Sequence, residues 1–148
     1  MLVFGGSAFV TQASFEETQS VLSSRDEALN GALNELNGMF VEDYEHSLDT
    51  ESVKGLRLFL LAHSWTALPR LSAEPDGRVV AAWGSNAQSA SLKFLDNDQF
   101  HYAMALETSK ERSRPWGTSS RFQFLLERPE ARAILGSSPS TQISATWK

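Results

Sequence analysis

The sequence contains no cysteine. Disulfides, thiolate nucleophiles and zinc sites built on sulfur are therefore excluded, and the redox compartment is left open. Long apolar runs are also missing: beyond the N-terminus the longest, Leu58 to Ala62, is far below the roughly 20 residues that a membrane-spanning helix needs. The start, MLVFGGSAFVTQA, has no basic residue and is broken by Gly5-Gly6, so it does not read as a signal peptide. It is expected to form a short strand or an N-terminal hook. A cytoplasmic protein with no membrane partner is the expectation.

Histidine is scarce, and His46, His63 and His101 stand 17 and 38 residues apart, without the short spacing that pre-places two metal ligands. His63, among apolar neighbours on a helix, reads as a hydrogen-bonded core residue. His101 falls on the wetter side of a strand, and a lone histidine defines no reaction by itself. No serine sits in a Gly-x-Ser-x-Gly elbow, since GGSAF, WGSNA and GTSSR all fail that pattern. Gly5-Gly6 lacks the lysine and the third glycine of a phosphate-binding loop. The adjacent carboxylates Glu16-Glu17, Asp26-Glu27 and Glu42-Asp43 would point about 100° apart on a helix, which marks a solvated face rather than an acid–base pair. The sequence thus predicts a protein that is not an enzyme and uses no metal and no cofactor.

Basic residues are nearly absent from the first third. Residues 1 to 50 carry nine acidic residues against Arg25 alone, a balance of −8, whereas residues 106 to 148 carry seven basic and four acidic residues, a balance of +3. The net charge of −5 hides this polarity. Either the two ends neutralise each other in the fold, or the acidic segment faces a basic partner such as a nucleic-acid-binding surface that it occludes.

What is present suits one globular domain: 148 residues, 41% hydrophobic and 21% charged. Ser14 and Glu17 form a capping box, and Phe15, Leu22, Leu29 and Leu36 recur every seven residues, so a helix is expected from Ser14. It either runs to about Leu36 and ends at Asn37-Gly38 as a left-handed cap, the preferred reading, or breaks at Gly31. MFVEDYEHSLDTES is a second short helix or loop. Asp49 or Thr50 then caps a helix over Glu51 to Trp65, with Val53, Leu56, Phe59, Leu60 and His63 on one face. Leu58, Leu61 and Ala62 make it apolar nearly all round, and hence the central helix.

After Leu68-Pro69 the period becomes two. Val79, Ala81 and Trp83 share one face, as do Ala90, Leu92 and Phe94, and then Phe100, Tyr102, Met104 and Leu106. Asp76-Gly77, GSNA and DND are the turns of an antiparallel meander, and a fourth strand over Pro69 to Ala73 would extend it. Ser89, Ser91 and Lys93 give that sheet a wet side. Trp83 reads as a core anchor. TSKERSRPWGTSS is a loop by composition; Ser119 or Ser120 caps a helix with Phe122, Leu125 and Leu126, kinked or ended at Pro129 and stopped by Gly136. Residues 136–148 are a flexible tail or short strand.

The stretch LPRLSAEPDGRVVAAW, followed by ASLKFLDNDQFHYAMAL, resembles a broad set of small uncharacterised bacterial helix/β-meander proteins. The matching residues are Pro69, Asp76, Gly77, Trp83, Leu92, Phe94, Tyr102 and Ala103, within residues 66 to 135. Such proteins look like companions of mobile-element, toxin and defence genes. That association is what the resemblance implies; no catalytic residue comes with it.

The expected architecture is α+β: a mainly helical 14–65 layered on a three- or four-stranded antiparallel meander over 69–107, with a C-terminal helix over 119–135. The leading functional expectation is a protein-binding module of antitoxin, immunity or mobile-element inhibitor type, whose partner protein has a basic surface. Glu35, Glu42, Asp43, Glu45 and Asp49 would form an acidic contact surface. Arg112, Arg114 and Trp116 would form a second contact loop, unless Trp116 packs back on the sheet. The rival expectation is an accessory subunit whose loop, with Lys110, Arg112, Arg114, Trp116 and Arg121, reaches nucleic acid through phosphate contacts and base stacking. An interleaved Glu111 and the acidic net charge oppose it.

Overall fold

In the computed structural model the described residues are 6–85 and 87–137, with side chains described from Ser24 onward. The fold is α+β. Two compact units divide the chain, Met1–Asn34 and Glu35–Lys148. The first is helical over its described residues and belongs to helix α1, Gly6–Tyr44. The second holds the end of α1, then α2 (Thr50–Ala62), β1 (Arg70–Ala73), β2 (Val79–Gly84), β3 (Ser89–Phe94), β4 (Gln99–Glu107), β5 (Arg112–Ser113), β6 (Trp116–Ser120), α3 (Gln123–Glu127) and α4 (Ala131–Gly136).

Helix α1 corrects three expectations. It starts by Gly6, so residues from Gly6 are neither strand nor hook, and Ser14 and Glu17 lie within it instead of capping it. Extending a formed helix fixes one residue per new hydrogen bond, so a capping box does not stop propagation through a segment that has no proline. The helix also passes Asn37-Gly38. Leu29, Leu33, Leu36 and Phe40 are buried in steps of four, three and four, a stripe that outweighs the helix cost of Gly31 and Gly38. Asn37 caps nothing; its Oδ1 accepts from the Leu48 N–H at 2.9 Å and ties down the following loop. The left-handed cap is Glu45, φ 66°, whose N–H donates to the Val41 carbonyl at 2.9 Å.

Helix α2 begins as expected, with Asp49 accepting the Ser52 N–H at 3.0 Å. It ends at His63 rather than Trp65, because the Thr66 N–H and hydroxyl both take the His63 carbonyl and turn the chain. Ser52, Gly55, Leu56, Phe59 and Leu60 are buried on one face, and Leu61 is 76% exposed, so this apolar helix is not central and buried all round but covers the sheet from one side, over β2 and β3. The close approach is at Gly55, where a Cβ would stand 3.4 Å from the Phe94 ring. One turn earlier the Ser52 hydroxyl donates to the Phe94 carbonyl at 2.7 Å and accepts the Val79 N–H at 2.8 Å. Val79 and Phe94 are the next pair in the β2–β3 register after Val80 and Lys93. A helix side chain therefore stands where the ladder bond between two strands would be.

β1 to β4 form the antiparallel meander, including the optional first strand, with Asn97 and Asp98 left-handed in the β3–β4 turn and Gly77 (φ 86°) in the β1–β2 turn. The covered face carries Leu71, Val79, Ala81, Trp83, Ala90, Leu92, Phe94, Phe100, Tyr102 and Met104, all buried. Phe59 is the hub, with ring centroids 6.1, 5.9 and 5.6 Å from Trp83, Phe94 and Phe100. Trp83 is a core anchor; its indole N–H donates to the Ala67 carbonyl at 2.7 Å. His63 is buried, with Nε2 2.7 Å from the Arg121 carbonyl.

The segment expected as a loop is instead β5 and β6, which extend the sheet to six strands by pairing with β4. Ser119 and Ser120 lie in β6 and cap no helix, and the expected C-terminal helix is two short ones broken at Arg128–Glu130. Pro129 accounts for the break, since it has no N–H to donate. The expected tail or strand beyond Ser137 lies outside the described residues.

Candidate functional site

Antiparallel partners on β4 and β5 pair Glu107 with Arg112 and Leu106 with Ser113; those on β4 and β6 pair Ala103 with Trp116 through to Gln99 with Ser120. Both sets share one register. Between them the Met104 N–H donates to the Pro115 carbonyl at 2.9 Å, so β5 and β6 follow one line along β4, joined through Arg114 and Pro115, which lie in neither strand and where Pro115 has no N–H to donate. Along a strand alternate side chains share a face. Arg112, Arg114, Trp116 and Thr118 therefore stand in one row, all exposed, whereas Ser119 on the other face is buried.

Trp116 does not pack back on the sheet: it is 79% exposed, across from the exposed Ala103. Its row neighbour Thr118 has Oγ1 2.9 Å from Nδ1 of His101 on β4. Arg112 Nε lies 3.5 Å from the Glu107 carboxylate, an exposed cross-strand pair. Arg114 forms no ion pair with any described residue. Arg121, just past the strand, has Nε 3.2 Å from Asp98 Oδ2 but out of line for a hydrogen bond, so their attraction is one of charge alone. Further across the sheet, Lys93 reaches Glu74 at 2.7 Å and Asp76 at 3.1 Å. The Glu74 bond foremost, with Asp76, raises the Lys93 ammonium above its usual range against the opposing effect of burial.

The acidic residues form a different locality. Glu35, Glu42 and Asp43 are exposed on the end of α1, and Glu35 and Glu42, seven apart, share one line of the helix away from Leu36 and Phe40. Glu45 is the exposed left-handed cap. Asp49 is set apart from them by its work as the α2 cap, which occupies its carboxylate with the Ser52 N–H. Beside this acidic end, Phe40, Tyr44 and His46 cluster, with ring centroids 4.7 Å (Phe40–Tyr44) and 5.0 Å (Phe40–His46) apart. The loop that follows α1 docks on the β1–β2 turn, where the Asp49 N–H donates to the Gly77 carbonyl at 2.8 Å. That turn is at the opposite edge of the sheet from β5 and β6. Acidic and Arg–Trp surfaces are thus not brought together.

The remaining exposed apolar side chains near the strand's end are Phe122 and Leu126, one turn apart on the α3 segment and 61% and 82% exposed. A concavity beside β5, lined by Ala105, Glu107, Arg112 and Arg114 among others, is about 10 Å³, room for roughly one water. Among the described residues no three of His, Asp and Glu gather as metal ligands, and no helix is long and apolar enough to cross a membrane. Sequence reasoning missed Thr118 and Ser120 as members of the edge. The signal for it was the spacing of two through Arg112, Arg114 and Trp116, a strand period carried by polar residues. Compared with known proteins, the chain matches no family model, no curated protein and no solved structure.

Proposed function

We propose that this chain is a non-enzymatic protein-binding module that sequesters or inhibits a partner, with the edge strand bearing Arg112, Arg114 and Trp116 as its principal contact surface. The observation that carries this reading is the 79% exposed indole of Trp116 in one row with two arginines. A tryptophan left in water gains its burial free energy only when a partner covers it, and Trp and Arg are the residues that dominate binding energy at protein interfaces. A polyanion fits the surface less well. Arg112, Arg121 and Lys93 already face carboxylates, so binding phosphates would first separate those pairs. The acidic end of α1, with Glu35, Glu42, Asp43 and Glu45, is the second surface and the one suited to a basic partner. The resemblance to companions of toxin and defence genes makes a toxin or nuclease the first partner to try.

The test is quantitative co-purification of the intact chain and its variants from the cells that make it. Trp116→Ala with Arg114→Ala should lose a partner protein while the melting temperature stays within the error of the parent, because both side chains are exposed. Retention of every partner by that variant, with loss on Glu42→Lys, Asp43→Lys and Glu45→Lys, would move the interface to the α1 end. Salt-sensitive retention of nucleic acid, lost in the same arginine variant, would replace the protein-binding reading.

A further inference from the structure

We infer that the outer edge of the 112–120 segment, which no other described strand pairs, takes up an extended acidic segment of a partner as one more antiparallel strand; this rests on the protein-binding reading and specifies how the partner is held. In an antiparallel ladder, successive residues alternate between facing one neighbour and facing away. The Met104–Pro115 bond makes that pair one of the closely bonded ones, and the Thr108 N–H donating to the Glu111 carbonyl at 2.9 Å falls in the same phase. On the other side of β4 the Leu95 N–H donates to the Gln99 carbonyl at 2.8 Å, which gives the same phase again. Ser113, Pro115, Gly117 and Ser119 therefore direct their backbone groups at β4. Arg112, Arg114, Trp116, Thr118 and Ser120 direct theirs away from the sheet, one N–H and one C=O each.

Pro115, the residue that would interrupt such an edge, spends its missing donor on the β4 side. The outward row runs in one register through β5, the Arg114–Pro115 link and β6, nine residues or about 30 Å at the rise of a strand. Protein edges are normally guarded by brevity, bulges, charge or cover. From Pro115 to Ser120 this one has no charged residue at all. Side chains of an added strand that face Trp116 and Thr118 would share the exposed face with them, and β-branched residues there would cover the indole. Those facing Arg112 and Arg114 would best be acidic: Arg114 has no ion pair among the described residues, and the exposed Arg112–Glu107 pair is readily exchanged. Charge also decides against a second copy of this chain, because residues 112 to 121 include three arginines and no carboxylate.

The probe is the nonapeptide Thr-Ser-Val-Ser-Val-Ser-Glu-Ser-Glu, whose N-to-C direction sets its valines against Thr118 and Trp116 and its glutamates against Arg114 and Arg112. It is titrated into the full chain, with amide hydrogen exchange followed residue by residue. The expected result is saturable binding with exchange at Trp116, Thr118 and Ser120 slowed about tenfold or more, and little change at Gly117 and Ser119, which are already bonded to β4. N-methylation of the valine facing Thr118, or lysine for both glutamates, should weaken binding about tenfold or more. Equal binding of the N-methylated peptide, binding without that protection, or no binding at about 1 mM peptide would overturn strand addition. If a natural partner is still lost in Trp116→Ala under any of those outcomes, the protein-binding reading stands with a side-chain interface. The same amides protected by self-association without peptide would make a second copy the occupant and overturn the proposal.

Discussion

Removing one hydroxyl, in Ser52→Ala, should cost the fold as much as truncating a core hydrophobe. Ser52 is fully buried on α2, and its hydroxyl carries two bonds, accepting from the Val79 N–H at 2.8 Å and donating to the Phe94 carbonyl at 2.7 Å. Alanine removes both and leaves two buried backbone groups without that partner. An orphaned buried donor or acceptor costs about 1–3 kcal/mol, and a carbonyl, with its second lone pair, sits at the lower end. The sum is about 2–4 kcal/mol, a fall in melting temperature on the order of 10 °C for a chain of this size. Urea titration followed by tryptophan fluorescence gives the number, and Ser85→Ala, at an exposed turn position, is the control expected within about 0.5 kcal/mol of the parent. The reasoning fails if Ser52→Ala loses less than about 0.5 kcal/mol. That would mean β2 and β3 close the gap and form the direct Val79–Phe94 bond, so that the hydroxyl holds the strands apart without stabilising them.

Trp83→Ala should cost about 3–5 kcal/mol in the same assay, through the cavity left beside Phe59 and the orphaned Ala67 carbonyl, and a change below about 1 kcal/mol would remove it from the core. Two glycines should respond with opposite signs. Gly84→Ala forces a side chain into φ 93° and against the Gln88 carbonyl, a loss of about 2–4 kcal/mol, whereas Gly38→Ala, in open space on a helix, should gain about 0.5–1 kcal/mol; equal signs in thermal melts would contradict the backbone geometry. Acid stability should depend on Asp76. Burial alone would raise its carboxyl, but the Arg78 N–H bond and Lys93 outweigh it and hold the group below its ordinary 3.8. A carboxyl with a folded-state pKa below its unfolded one stabilises above the unfolded value and loses that contribution as pH falls through the folded one. Melts of the parent and of Asp76→Ala should therefore converge as pH drops below about 4, and a constant gap down to pH 2 would refute the linkage.

The meander was legible because its covered-face residues are apolar at every second position and its turns are written in Asp, Asn and Gly. The edge strand was not, because the residues it turns to the covered face are Ser113, Pro115, Gly117 and Ser119. Gly117 lies under the Tyr102 ring, where a Cβ would stand 2.9 Å from the phenol oxygen, and the Ser119 hydroxyl donates to Glu127 at 3.0 Å. A strand that fills its inner face with another strand's tyrosine and a helix's carboxylate leaves no hydrophobic period to read. The helix α1 was misread for a related reason: capping boxes and glycines are local signals, whereas Leu33, Leu36 and Phe40 are fixed by burial. Residue types at the candidate surface were found from the sequence, since Arg112, Arg114 and Trp116 stand out by composition. Their arrangement in one row along a free edge follows only from the register.

The two edges of this sheet are treated differently, and the contrast bears on whether the open one serves a purpose. By the phase of the Glu74–Arg78 bond, β1 turns outward only the backbone groups of Leu71 and Ala73. Leu71 is itself buried, and the chain just before β1 is held by the Ala67 N–H donating to the Leu135 carbonyl of α4 at 2.7 Å. One edge is thus four residues long and offers the backbone groups of only two residues. The opposite edge runs nine residues, presents its largest side chain to water and places its proline where the free side is not interrupted. Had burial alone set the sequence, a lysine at Trp116 or Thr118 would guard that edge without disturbing the core, because both side chains lie on the exposed face. A tryptophan there is what the proposed added strand would cover.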